Sequence, residues 1–394
     1  MPVQILQRKG LLTAGFAVLL VGCSGGTRIA EIVSKEPHAA LPSGVRMVVG
    51  FQPKNIASNP LVARLRQAMG QDQSDLPLAD FAWAAGIDSQ RQVEAGAWGL
   101  YSVGGPAGPT WGIVLVGDFD EPGALTSAKA GAGGLAPAAI QPRSYQKGAY
   151  YVLTRGAGPE AEETFVLFPA PGVALASNNQ AVVQKGIVVW NGKAEGVKAD
   201  PQFASRLEGL STSSPAWIVG WAQGTLDQMT AIAGLFSRGE NLGRGVDWYR
   251  AELELGQNMA SLSGLIQCQN ADSAKKQREN YQELIKTYAQ VFFQAGLGIG
   301  AIALANKLRL AAEEKTISVN FEVTAEEIEQ IAQQFEQARQ NPLTIQDLMR
   351  RGAPAPPGVE PSEPGAEAQE APQEEAPPGA LDEALPSPRP APGS

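Results

Sequence analysis

The sequence predicts an α+β fold, a unit of antiparallel strands with capped helices that occurs twice, followed by a disordered tail rich in proline and glutamate. Three observations carry this expectation. Short runs of β-branched and aromatic residues recur with connections too short for a crossover helix, so neighbouring strands run antiparallel. Capping residues stand at matching places in the two halves, Asp120 against Asn270 or Asp272, and Asn178 or Asn179 against Thr324. From Gly352 onward the chain is mainly Pro, Ala, Gly and Glu, which leaves too little apolar surface to offset the entropy of ordering.

Taken in order, Val45 to Phe51 is the first strand, bounded by Ser43-Gly44 and Pro53. Asn59-Pro60 then opens a helix, Asn59 as its cap and Pro60 at the first helical position, with Leu61, Leu65 and Ala68 on one face. Ala97 to Val103 and Thr110 to Phe119 form a hairpin across a Gly/Pro turn. Asp120 with Pro122 starts a helix through Ala130, which the stretch from Gly131 to Pro142 ends. Gly148 to Thr154, Thr164 to Phe168 and Val173 to Ala176 are further strands, and Asn178 or Asn179 caps the helix that follows.

The second half repeats this order. Asp200 to Leu207 echoes Asn59 to Leu65, and Ala216 to Val219 echoes Ala97 to Leu100. Trp248 to Leu255 alternates as a half-buried strand, and Met259 to Gln269 returns after a Gly256-Gln257-Asn258 turn. A long helix follows Asn270 or Asp272, with Tyr281, Leu284, Ile285, Tyr288, Val291 and Phe292 on one stripe. It enters an uncharged run from Tyr288 to Ala305, where Gln290, Gln294 and the glycines favour a bend between packed helices over a membrane span. Ile317 to Val323 is a strand, and Thr324 with Glu327 makes a capping box for the last helix.

Ahead of the first strand, Arg8 and Lys9 precede an apolar run from Leu11 to Leu20, which ends in Val21-Gly22-Cys23. A charged start, an apolar middle too short to span a bilayer and a small-residue end make an export signal. The stretch Leu20-Val21-Gly22-Cys23 resembles the lipobox of bacterial lipoproteins. That resemblance implies cleavage between Gly22 and Cys23, acylation of Cys23 and attachment to a lipid bilayer. Ser24, a non-acidic residue after the modified cysteine, implies sorting to the outer membrane of the cell envelope. The expected boundaries are a leader over 1–22, a lipidated tether over 23–42 that reaches about 60 Å at most, a first repeat over 43–195, a second over 196–351 and the acidic tail over 352–394.

Composition narrows the function. The formal charge is −9, and loss of Arg8 and Lys9 with the leader makes the chain two units more acidic, which disfavours nucleic acid as a partner. There are two cysteines. With Cys23 acylated, Cys268 has no partner in the chain, so stability rests on a packed core and not on a disulfide framework. His38 is the sole histidine and falls in the tether, expected to be a solvated linker residue. A folded body without histidine has no Ser-His or Cys-His base and no histidine-based zinc site. No cofactor and no metal are therefore expected.

Each remaining candidate has a plainer structural role. Asp118, Asp120 and Glu121 could offer oxygen ligands to a hard cation, but Asp120 is expected to cap the next helix. Glu252 and Glu254 share one strand face, as exposed carboxylates commonly do, and a glycosidase pair is the lesser reading. Gly296, Gly298 and Gly300 imitate a dinucleotide fingerprint without its preceding strand. Cys268 alternates with Leu262 and Ile266 as a core thiol. Trp98, Trp111, Trp217, Trp221 and Trp248 lie in or beside strands, where they pack a core or line a binding surface. The reading that follows is a membrane-anchored envelope lipoprotein, not an enzyme, with a binding or structural role toward an envelope protein partner. A carrier of lipid or another apolar ligand is the alternative, and a hydrolase using carboxylates or a Ser/Lys pair is the third.

Overall fold

Consecutive apolar positions in Thr110–Gly117, Glu162–Ala170 and Val173–Ser177 are buried on both faces, so one sheet is covered on both sides. In the computed structural model the described residues are 29–69, 82, 84–89, 91–103, 108–158, 161–223, 225, 242–292 and 305–340. Among them the strands are β1 (Met47–Phe51), β2 (Val93–Ser102), β3 (Thr110–Gly117), β4 (Ala138–Tyr145), β5 (Gly148–Arg155) and β6 (Glu162–Ala170). They continue as β7 (Val173–Ser177), β8 (Ala216–Trp221), β9 (Val246–Leu255), β10 (Met259–Cys268), β11 (Arg309–Glu313) and β12 (Thr316–Thr324). The helices are α1 (Pro53–Ser58), α2 (Pro60–Met69), α3 (Glu121–Ala130), α4 (Gln180–Trp190), α5 (Pro201–Leu207), α6 (Ala271–Phe292) and α7 (Ala325–Gln340). The fold is α+β, as the sequence predicts. The export signal with Gly22 and Cys23, the glycines from 296 to 300 and the tail lie outside the described residues.

All twelve strands join one antiparallel sheet in the order β11-β12-β10-β9-β8-β1-β2-β3-β7-β6-β5-β4. Its centre is the pair β1 and β8, with Val49 opposite Ile218. Outward from β1 the sheet runs β2, β3, β7, β6, and outward from β8 it runs β9, β10, β12, β11. On each side a capped helix follows the third strand (α3 after β3, α6 after β10), and another follows the fourth (α4 after β7, α7 after β12). The β4–β5 hairpin extends the first side alone.

One face of the sheet carries Val48, Ala97, Val114, Leu175, Trp217 and Val219 and is covered by α4, α5 and the segment before β1. The other carries Phe51, Ile113, Leu115, Val166 and Ala176 beneath α3. Farther along that second face, Cys268, Ala274 and Ile317 pack together under α6, and Leu61, Val323 and Ile328 join α2 to α7. No helix of the described residues is long and apolar enough to cross a membrane.

The caps match expectation at atomic level. The Asp120 Oδ1 accepts from Gly123 N at 2.7 Å, Asn179 Oδ1 from Ala181 N at 2.9 Å, and Asn270 Oδ1 from Ser273 N at 2.8 Å. The Thr324 capping box is reciprocal: Thr324 N donates to Glu327 Oε2 at 2.9 Å and Glu327 N to Thr324 Oγ1 at 3.3 Å.

Three expectations need correction. The tether does not extend to residue 42, since residues 29–35 are helical, Pro37–Ala40 is a 3-10 turn, and Val33, Ala40 and Leu41 lie in the core. The echo of Ala97–Leu100 in Ala216–Val219 is out of phase, because β8 sits beside β1 and it is β9 that occupies the place corresponding to β2. The stretch expected only to end α3 also contains β4.

Candidate functional site

The residues before β1 build one wall of an open cleft. Ile29 and Val33, one helical turn apart, lay the 29–35 helix against the core, and Pro37 starts the 3-10 turn that follows. Pro42 bridges to Gly196, and Val197 N donates to Leu41 O at 2.8 Å. Glycine is required at 196, where an added Cβ would stand 2.2 Å from Ala39 O. Across the cleft, Asp200 caps α5 through Gln202 N at 3.0 Å, with Pro201 at its first position, and fully buried Phe203 fixes the helix to the sheet.

The turn Pro37–Ala40 and the Val197–Ala199 turn thus face α5 and the loop after it across an open cleft of about 470 Å³. Glu36 and Lys198 form an ion pair at its rim. Ser205, Glu208 and Thr212 add polar groups from the α5 side, and Leu207 and Leu210 add apolar ones.

His38 lines this cleft at 2% exposure, which contradicts the expected solvated linker residue. Its ring stands edge-on to Trp217, with centroids 5.3 Å apart at 90°. The Trp217 indole has room because Gly50 lies beneath it, where a Cβ would meet the ring at 2.0 Å. The Nδ1 of His38 meets no hydrogen-bond partner among the described residues. Burial lowers its pKa to about 4; Glu36 opposes the shift and Lys198 reinforces it. At neutral pH His38 is therefore an uncharged imidazole.

The five tryptophans do not share one surface. Trp217 opposes Gly50 and Trp98 opposes Val49, so they lie on opposite faces of the sheet, and Trp111 joins Trp98 in its cluster. Trp217 is buried, and the other four are half-buried. Trp221 and Trp248 stand opposite each other under α5, with Arg206 stacked 4.2 Å from the Trp221 ring centre. Arg250 Nη1 donates to Arg206 O at 3.3 Å and ties this platform to α5.

The other candidates take structural places. Glu121 accepts a hydrogen bond from the Tyr151 hydroxyl beside the Asp120 cap. Glu252 Oε2 accepts from Ser211 N at 2.9 Å and so holds the loop after α5. Cys268 is buried, and desolvation, aided by Asp247, pushes its thiol up to about 11, away from thiolate chemistry at neutral pH. Among the described residues no group of three or more His, Cys, Asp or Glu is placed to hold a metal.

Sequence reasoning missed the cleft because it assigned residues 23–42 to a tether. The signal was present: Ile29, Ile32 and Val33 have helical spacing, and the Asp200-Pro201 cap marks the opposite wall.

No known protein family matches the chain, and no curated protein does either. Among solved structures, crystal forms I, III and IV of a protein called TP0453 are distantly similar, at 12%, 13% and 13% identity and TM-scores of 0.42, 0.43 and 0.41. The matches cover 76% of this chain and 97%, 97% and 96% of those chains.

Proposed function

We propose that this protein is a bacterial envelope lipoprotein, anchored through an acylated Cys23, whose folded body acts by binding and not by catalysis. The leader and the lipobox-like Leu20-Val21-Gly22-Cys23 support the anchor, and Ser24 supports the outer membrane as its destination. The observation that carries the binding reading is the state of the reactive side chains: His38 is buried against Trp217 and Cys268 is buried in a strand. Among the described residues, an open cleft between the N-terminal segment and α5 is offered to the outside.

We also propose that the body arose by duplication. The matching order of strands and capped helices on either side of the β1–β8 pair supports it, with one unit running from β1 through α4 and the other from β8 through α7. This phasing replaces the one suggested by the tryptophans. The composition of residues 352–394 supports a disordered tail beyond this body.

Fractionating cells that express the Cys23→Ser chain tests the proposal. The variant should leave the membrane fraction or accumulate with its leader uncleaved, and continued membrane integration of a fully processed variant would refute it. An apolar carrier would be the better reading only if long-chain lipid co-purified with the body inside its core.

A further inference from the structure

We infer that the cleft over His38 is a binding site for a phosphoethanolamine group. The cleft joins the features such a zwitterion requires in a space of about 470 Å³, within the usual range of small-molecule sites. Glu36 and Glu208 supply two carboxylates for a primary ammonium, and Lys198 supplies one cation for the phosphate. Thr212 adds a hydroxyl, and Leu210 offers apolar surface to the connecting methylenes.

Two observations distinguish this cleft from an ordinary charged surface. His38 in its wall is 2% exposed and its Nδ1 has no partner among the described residues, a buried polar group that proteins normally satisfy. A neutral imidazole in the wall adds no charge to the cleft. The Glu36–Lys198 pair across the mouth is also half-exposed, with side-chain exposures of 30% and 52%. Such a pair contributes about 0–1 kcal/mol, so a ligand carrying both charges can open it and satisfy each partner in turn. The carboxylates outnumber the ammonium, which disfavours a simple anion and favours a ligand that brings its own cation.

The chemistry has two sources, the headgroup of an aminophospholipid or a free phosphoethanolamine compound. The inference deepens the binding reading proposed above, but occupancy of the cleft does not require acylation.

Titrating the full-length protein in detergent with O-phosphoethanolamine, phosphocholine and inorganic phosphate, by calorimetry, tests the site. Phosphoethanolamine should bind saturably and at least about tenfold more tightly than the other two, a difference of about 1.4 kcal/mol. Glu208→Gln and Lys198→Ala should each weaken it by a similar factor at unchanged melting temperature. Equal affinity for the three probes, no saturable binding at about 10 mM, or wild-type affinity in both variants would overturn the inference.

Vesicles then distinguish the source. If the Cys23→Ser chain sediments with vesicles containing phosphatidylethanolamine and not with pure phosphatidylcholine, and Glu208→Gln abolishes this, the ligand is a membrane headgroup. Binding of the soluble probe without vesicle preference supports the same site with a free ligand. Failure of acylation at Cys23 would sink the anchor and leave the soluble-probe titration as it stands.

Discussion

His38 is buried against Trp217, its Nδ1 has no partner among the described residues, and it is held neutral by desolvation. Its folded pKa, about 4, lies below its ordinary 6.5, so the unfolded chain binds a proton more readily than the folded one. The contribution is fully present above about pH 6.5, falls as the pH drops through that value and is exhausted below about pH 4. Between pH 7 and pH 4.5 the native protein should lose roughly 2 kcal/mol more stability than His38→Gln, as measured by urea unfolding at both pH values. Equal losses would mean that His38 titrates normally. Beneath the neighbouring indole, Gly50→Ala places a methyl group inside the Trp217 ring and should cost about 1–3 kcal/mol. An unchanged melting temperature would contradict the packing described. The polar caps were legible in the sequence at this scale, because Asp120, Asn179 and Thr324 each precede a helical pattern. The burial of His38 was not, since a lone histidine beside prolines carries no sign of its distant partner, Trp217.

Among the elements, those with a strong local signal were found and those defined by their neighbours were missed. Thr324 and Glu327 announce α7, and Thr324→Ala should destabilise the protein by about 0.5–2 kcal/mol by freeing the first-turn N–H groups. Thermal denaturation would detect this, and a neutral result would mean that the reciprocal box contributes nothing. Strand β4 has no such signature: its residues are largely exposed on both faces, and Pro142 interrupts it, which only an edge strand tolerates. Strand β11, with Leu310 and Ala312 turned to the core, is too small and too short to show a period. The misplaced echo of Ala97–Leu100 in Ala216–Val219 has a similar origin. Ala-Trp occurs in both β2 and β8, but strand order depends on pairing, and the letters do not record that β1 and β8 meet.

For the whole molecule, the N-terminal segment is part of the body and, in the proposed lipoprotein, also the route to the anchor. Val33, Leu41 and the Leu41–Val197 hydrogen bond tie residues 29–42 to the sheet, so deleting them should lower the melting temperature sharply, whereas a solvated tether could be removed without effect. Calorimetry of that deletion distinguishes the two. The α+β class was legible in the pattern of strands and caps, but the cleft depends on three separate stretches converging: Glu36 to His38, Lys198 and the α5 segment. No local pattern reports that convergence. The account as a whole stands on an acylated Cys23 that holds this body at a membrane. The intact mass of the protein purified from bacterial membranes measures that most directly. A chain beginning at Cys23 and heavier than its sequence by the mass of the acyl chains is the predicted result, and a chain that retains residues 1–22, or a mature chain with an unmodified Cys23, would contradict it.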